Sequence, residues 1–319
     1  MIENSYLHKE IFEQPAVIAD LLNSEWAAVS KLAQAIQEKN IKHIVIAARG
    51  TSDNAGRYAQ YVLGARNQMV VTLSAPSLFS IYEAPPSFDN CLVLGISQSG
   101  QSPDIVGVLE EAQEQEQLTA AITNSPVSPL AKAADFVIDI HAGPEKAVAA
   151  TKSYTNSLLA IAMLSEALQG LDQPSADLMR LPEAIGKTLE LSSPIFESAS
   201  RYRFMKHCVV IGRGFNYATA FEMALKMKEL TYTIVEPYSS ADFLHGPFAV
   251  IEQGFPVILL APSGKMKQTM LELAQTLKDY AADTLILSDD GDLLELATVP
   301  VQLPVSLPEW LSPIAAILP

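Results

Sequence analysis

The run Lys42-His43-Ile44-Val45-Ile46-Ala47-Ala48-Arg49-Gly50 returns as Lys206-His207-Cys208-Val209-Val210-Ile211-Gly212-Arg213-Gly214, displaced by 164 positions. The same displacement carries Ser99-Gly100 onto Ser263-Gly264. An internal duplication of this length restricts a 319-residue chain to two domains of one design, each large enough to bury its own core.

The pattern inside the first copy names that design. Short apolar runs at 44–48, 70–73, 92–96, 118–123 and 136–140 alternate with helical stretches at 55–64, 105–117 and 130–134. Strands this apolar are covered on both faces, and strands alternating with helices build a parallel sheet. The expected fold class is therefore α/β, two tandem flavodoxin-like domains, each a doubly wound parallel sheet flanked by helices. In the second copy the strands after Cys208 are expected at 232–235, 257–261, 284–287 and 299–303. Helices are expected over residues 1–40, one running from Glu10 up to Pro15 and another over 17–37, capping the first sheet. The domains are placed at 41–170 and 201–319, with a proline-bearing helical connection over 171–200.

Chemistry is expected first at Ser97-Gln98-Ser99-Gly100-Gln101-Ser102-Pro103-Asp104. An apolar strand breaks there into hydroxyls, an amide and a glycine, and Ser102-Pro103-Asp104 reads as N-cap, first helical proline and first-turn acid. Strand, polar loop and helix N-terminus together make a place for an anion, served by free N–H groups, the helix dipole and the serine hydroxyls. An ordinary capped turn remains an equal alternative on this stretch alone. The first strand leads into a similar loop, Arg49-Gly50-Thr51-Ser52-Asp53-Asn54, and two such loops on one sheet can converge on one ligand. In the second copy Ser97-Gln98-Ser99 becomes Ala261-Pro262-Ser263, so the first copy is expected to hold the phosphate.

The second copy offers different groups. Glu222, Lys226 and Glu229 fall at spacings of four and three, on one helix face. A solvated salt-bridge stripe is the plain reading. Against it, Phe221, Met223, Ala224, Leu225, Met227 and Leu230 make the helix apolar nearly all round, so the stripe is expected to point into a pocket from a buried helix. His245, between an acidic loop and Gly246-Pro247, is either structural or a rigidly held acid–base group.

A net charge of −15 argues against nucleic acid or an anionic membrane as partner, and requires any phosphate to be held by local dipoles. Cys91 and Cys208 sit in apolar strand-like runs, which is no pattern for a disulfide framework or a metal site. The polar, acidic first residues do not resemble a signal peptide, and no apolar run is long enough to span a membrane, so a cytoplasmic location is expected.

Arg49-Gly50-Thr51-Ser52, Ser97-Gln98-Ser99-Gly100-Gln101-Ser102, Ala142-Gly143-Pro144-Glu145 with Ala150-Thr151-Lys152, Glu222 to Glu229, and Leu244-His245-Gly246-Pro247 resemble, in order and spacing, the tandem sugar-isomerase (SIS) family. The chain is similar to the isomerase half of glucosamine-6-phosphate synthase and to the free-standing SIS-type glucosamine-6-phosphate deaminases. The resemblance implies that Gly50, Thr51, Ser52, Ser97, Gln98, Ser99 and Ser102 hold a sugar phosphate, with Val148 and Ala150 near the sugar. It implies Glu229 as the base between C1 and C2, Lys226 as its orienting or oxyanion-stabilising partner, Glu222 as support and His245 as an aid to ring opening, presented to a neighbouring subunit in a homodimer. It implies neither metal nor other cofactor.

Three departures shape the functional expectation. No glutamine-cleaving domain with a leading cysteine is visible; Arg49 stands where the synthase-type loop has a cysteine; and the last lysine is Lys278, where relatives carry one in a C-terminal tail, so the tail reads as incomplete. The expected activity is glutamine-independent deamination of glucosamine 6-phosphate to fructose 6-phosphate and ammonia. Alternatives are the same chemistry on another phosphorylated amino sugar or glycated amine, and a non-catalytic sugar-phosphate sensor; the sensor has no use for Glu229 or His245.

Overall fold

The computed structural model describes residues 5–191, 195 and 198–319. The chain forms two compact units, Met1–Pro182 and Glu183–Pro319.

In the first unit, strands β1 (His43–Ala47), β2 (Val70–Leu73), β3 (Cys91–Ser97), β4 (Leu118–Thr123) and β5 (Phe136–Asp139) pair in the order β2-β1-β3-β4-β5, all parallel. β4 is buried along its whole length and β3 from Leu92 onward, which is why these strands read as unbroken apolar runs. The chain order reverses between β1 and β3. Their carboxyl ends therefore flank the crevice where a doubly wound sheet takes its ligand.

Helix Pro103–Glu114 packs Ile105, Val108 and Leu109 into a cluster with Val93 and Ala121 of the sheet. Helix Lys152–Leu168 is buried from Lys152 through Ala167 and packs against the helices Tyr6–Ser24, Trp26–Glu38 and Thr51–Asn67. The first of these corrects an expectation, since it runs straight through Pro15. Proline removes the N–H that Ile11 O would receive, and the Gln14 side-chain amide donates to that carbonyl instead at 3.1 Å.

The second unit repeats the plan with β6 (His207–Gly212), β7 (Ile234–Ser239), β8 (Pro256–Leu260), β9 (Asp283–Ser288) and β10 (Val299–Gln302), ordered β10-β9-β8-β6-β7 and parallel throughout. Helices Asn216–Thr231 and Lys267–Asp279 take the places of Thr51–Asn67 and Pro103–Glu114. β7 begins later than expected. Tyr232 is instead the left-handed cap of the preceding helix, with φ +58°. Helix Asn216–Thr231 is also less buried than expected: Ala218, Ala220 and Ala224 are buried, Phe221, Met223, Leu225 and Met227 are half-buried, and Leu230 is exposed. Met223 and Met227 pack against the sheet's core cluster, and the charged stripe runs from the core outward. Near its start, Asn216 Nδ2 donates to Ser312 Oγ at 2.8 Å, pinning the short helix Ser312–Ala316. Among the described residues no helix is long and apolar enough to cross a membrane.

Candidate active site

Ser97 ends β3 with its side chain buried, and its Oγ accepts the Gly100 N–H at 3.1 Å. Ser99 Oγ receives the Gln101 N–H at 3.3 Å. Gly100 has φ +61°, and a Cβ there would meet Ser128 Oγ at 2.1 Å, so both the turn and its close approach require glycine. Ser102 caps helix Pro103–Glu114 in an extended conformation without a side-chain capping bond. The N-termini of this helix and of Thr51–Asn67, which carries half-buried Thr51 and Ser52 in its first turn, both follow strands at the reversal point. Arg49 and Asp104 form an ion pair that ties the two loops together.

Beside the first loop a cleft of about 400 Å³ is lined by Ala48, Arg49, Gly50, Asp53 and residues 74–77. Burial pushes the Asp53 carboxyl up and Arg57, 3.1 Å away, pulls it down, leaving it above the usual aspartate value.

A third loop, 142–151, joins these two through a residue that motif reading missed. Asn124, just after β4, donates its N–H to Gln98 O at 3.1 Å and its Nδ2 to Gly143 O at 2.7 Å, while its Oδ1 accepts the Ala142 N–H at 2.9 Å. Its position at the carboxyl end of a central parallel strand was the available signal. Glu145 closes the far end of the loop by accepting Thr151 N at 2.8 Å, Thr151 Oγ1 at 3.1 Å and Ser153 N at 3.3 Å, together with the Ser153 hydroxyl. Between these anchors Val148 stands 90% exposed and Ala150 is half-buried. The first unit thus brings Gly50, Thr51, Ser52, Ser97, Gln98, Ser99, Ser102, Val148 and Ala150 to three linked loops around the ends of its strands.

In the second unit, Lys226 Nζ lies 3.4 Å from Glu222 Oε1 and 2.8 Å from Glu229 Oε2. Glu222 is fully buried, the Lys226 side chain is 15% exposed and that of Glu229 is 33% exposed. The stripe is graded, with its anchored end in the core and Glu229 at the open end. Such a carboxylate can accept a proton from a ligand, and the ammonium beside it can stabilise charge on a ligand oxygen. His245 is exposed at the end of the short helix Ser240–Leu244, and among the described residues no hydrogen bond joins its ring to the stripe. Two N–H groups in the loop matching Ser97–Ser102 are taken by the chain's own carboxylates: Ser263 N donates to Asp289 Oδ1 at 2.6 Å and Lys265 N to Glu309 Oε2 at 2.8 Å. Burial raises the Cys208 thiol to about 12, which leaves it unreactive.

These two arrangements match a known family. The SIS domain model fits residues 39–167 and again 203–303. The chain belongs to the SIS domain family. It is 34% identical over 320 residues to the glutamine–fructose-6-phosphate aminotransferase (isomerizing) of Pyrococcus horikoshii, covering 98% of this chain and 53% of that protein. The corresponding protein of Zymomonas mobilis is 33% identical over 303 residues, covering 91% and 50%. The chain thus spans about half the length of the curated relatives it matches. Among solved structures, a proposed phosphosugar isomerase from Silicibacter pomeroyi superposes with a TM-score of 0.88 at 33% identity, covering 98% of this chain and 95% of that one. The C-terminal domain of glucosamine-fructose-6-phosphate aminotransferase from Francisella tularensis gives 0.86 at 26%, covering 99% and 93%. That C-terminal domain is the part of its enzyme that this SIS chain matches.

Proposed function

We propose that this phosphosugar isomerase of the SIS family deaminates glucosamine 6-phosphate. The observation that carries the reading is the graded Glu222–Lys226–Glu229 stripe, a buried carboxylate, an ammonium and an open carboxylate in contact, in a chain whose other repeat offers hydroxyl-bearing loops that lead into helix N-termini. The phosphate is held by Thr51, Ser52, Ser97, Gln98, Ser99 and Ser102, with the Gly50 turn bringing the backbone close. Val148 and Ala150 face the sugar. His245, offered by a second copy of the chain in a homodimer, assists ring opening to the aldehyde.

Glu229 then removes the C2 proton and returns it to C1. The electron pair left at C2 moves into the C1–C2 enolamine, whose oxygen charge Lys226 stabilises, and reprotonation at C1 leaves a C2 imine. Water adds to that imine and ammonia leaves, giving fructose 6-phosphate. A placed carboxylate accelerates such a proton transfer by about 10²–10⁴-fold, and anchoring through the phosphate supplies further rate by orientation. Incubation with glucosamine 6-phosphate alone, following ammonia and fructose 6-phosphate together, is expected to yield both in equal amounts without glutamine. Absence of both products, with turnover of another phosphorylated amine or binding without change, removes the deaminase reading.

A further inference from the structure

Glu10, Glu13, Gln14 and Val17 follow one another at helical spacing along the first helix, and each bonds to the same later segment. Glu10 is only 4% exposed, and its carboxylate accepts the backbone N–H of Lys146 at 2.5 Å and of Ala147 at 3.1 Å. Lys152, 1% exposed, donates its Nζ to Glu13 at 2.6 Å and to Pro144 O at 2.8 Å. Thr155 Oγ1 donates to Gln14 Oε1 at 2.8 Å, and Asn156 Nδ2 bridges Val17 O at 3.1 Å and Ile140 O at 2.6 Å. All the partners lie between 140 and 156, on either side of exposed Val148.

A buried carboxylate is a costly way to fill space, since its desolvation must be offset by hydrogen bonds. Among the described residues Glu10 spends its oxygens on two consecutive main-chain amides. That arrangement fixes the direction of the backbone leading into Val148 and Ala150, which an apolar side chain could not do. We propose that the first helix is part of the sugar site, and that Glu10 is a positioning residue that holds the 144–150 backbone so that Val148 and Ala150 meet the sugar. The proposal rests on the reading of this loop as sugar-facing, and Glu10 itself touches no substrate.

The test uses the full chain with Glu10→Ala and Glu10→Gln, the second keeping one acceptor oxygen, and reads hydrogen exchange together with the binding of inorganic phosphate and fructose 6-phosphate. Glu10→Ala is expected to speed exchange at Lys146 and Ala147, to weaken fructose 6-phosphate about tenfold, and to leave inorganic phosphate within about twofold, because the serine loop is not held by this helix. Kinetics should show the same split, with KM rising more than kcat falls, and Glu10→Gln should recover most of the loss. If Glu10→Ala does not fold, Glu10→Gln alone is expected to weaken the sugar phosphate about threefold with faster exchange at one of the two amides. Unchanged exchange in the variants would mean that Glu10 does not hold the loop. Faster exchange with undiminished fructose 6-phosphate binding would mean that the loop does not touch the sugar, and an equal loss of inorganic phosphate would make Glu10 merely structural. A wild-type chain that binds neither probe fails at the proposed function itself, a result recognisable before any variant is made, and it takes the proposal with it.

Discussion

Where helix Thr51–Asn67 of the first repeat buries Tyr58 and Val62 and then carries Ala65, the matching helix of the second repeat carries Glu222, Lys226 and Glu229. The exchange runs the other way in the loops. Ser97, Gln98 and Ser102 of the first repeat correspond to Ala261, Pro262 and Met266, and the Ser263 and Lys265 amides are occupied by Asp289 and Glu309. Neither repeat holds both sets of groups. On the proposed function, one backbone plan has been specialised twice, for gripping an anion in one copy and for moving a proton in the other, and the difference lies in side chains that the sheets do not need.

The largest expected effect breaks the reacting half. Glu229→Gln keeps the shape and loses the base, so turnover of glucosamine 6-phosphate should fall at least about a hundredfold while the substrate still binds; steady-state kinetics with a parallel binding titration checks it. Near-normal turnover would place the base elsewhere. The gripping half is broken by giving the first loop the side chains of the second, Ser97→Ala with Gln98→Pro. Lost hydrogen bonds to a charged ligand are worth about 1.5–3 kcal/mol each, so sugar-phosphate affinity should drop at least tenfold in calorimetry.

Smaller effects sharpen the comparison. Gly100→Ala forces a side chain into a left-handed turn and onto Ser128, and should cost about 1–3 kcal/mol of stability in urea unfolding. Glu309→Ala frees the Lys265 N–H and should cost about 1 kcal/mol, yet phosphate should still bind at one site per chain, because Ala261 and Pro262 supply no hydroxyl or amide. A second equivalent site in that variant would mean that the repeats differ less than their side chains suggest.

The smallest effect concerns pH. Burial lowers the affinity of His141 for its proton, but the 3.0 Å hydrogen bond to Glu25 and the charges of Asp139, Glu25 and Asp20 raise it further, so the net shift is upward from 6.5. The protonated ring therefore adds stability that is fully present below about 6.5 and is lost as pH rises through the higher folded value. His141→Gln should flatten the dependence of unfolding free energy on pH across that window. Pro304 occupies the matching place in the second repeat, just after Leu303, whose N–H donates to Ser288 O as that of Ile140 donates to Thr123 O, so replacing it should leave the pH dependence untouched.

The sheets were legible because strands covered on both faces leave uninterrupted apolar runs, as at Leu92–Ile96 and Leu118–Thr123. β7 was misplaced for the opposite reason. It is an edge strand with Ile234 and Glu236 exposed and Pro237 within it, so the apolar signal is weakest where the strand lies. The serine loop and the charged stripe could be read because each lies within one short stretch of chain, where local spacing sets the geometry. Asn124 and Glu10 could not, since their partners are brought to them by the fold from elsewhere in the chain and each in isolation looks like an ordinary polar residue. Lys152 stood within the Ala150-Thr151-Lys152 motif, but its bond to Glu13 was not visible there.

The Glu10–Lys146 hydrogen bond spans 136 residues, and Glu13, Gln14 and Val17 reach nearly as far along the chain. During synthesis the first helix emerges long before helix Lys152–Leu168, against which it packs. At translation rates of about 5–20 residues per second it waits roughly 6–30 seconds with its apolar side uncovered. The first sheet can assemble in that interval without it, so the 142–151 loop is expected to be among the last parts of its unit to become ordered. A loop held between an early and a late segment of its domain takes its final form only once that domain has closed.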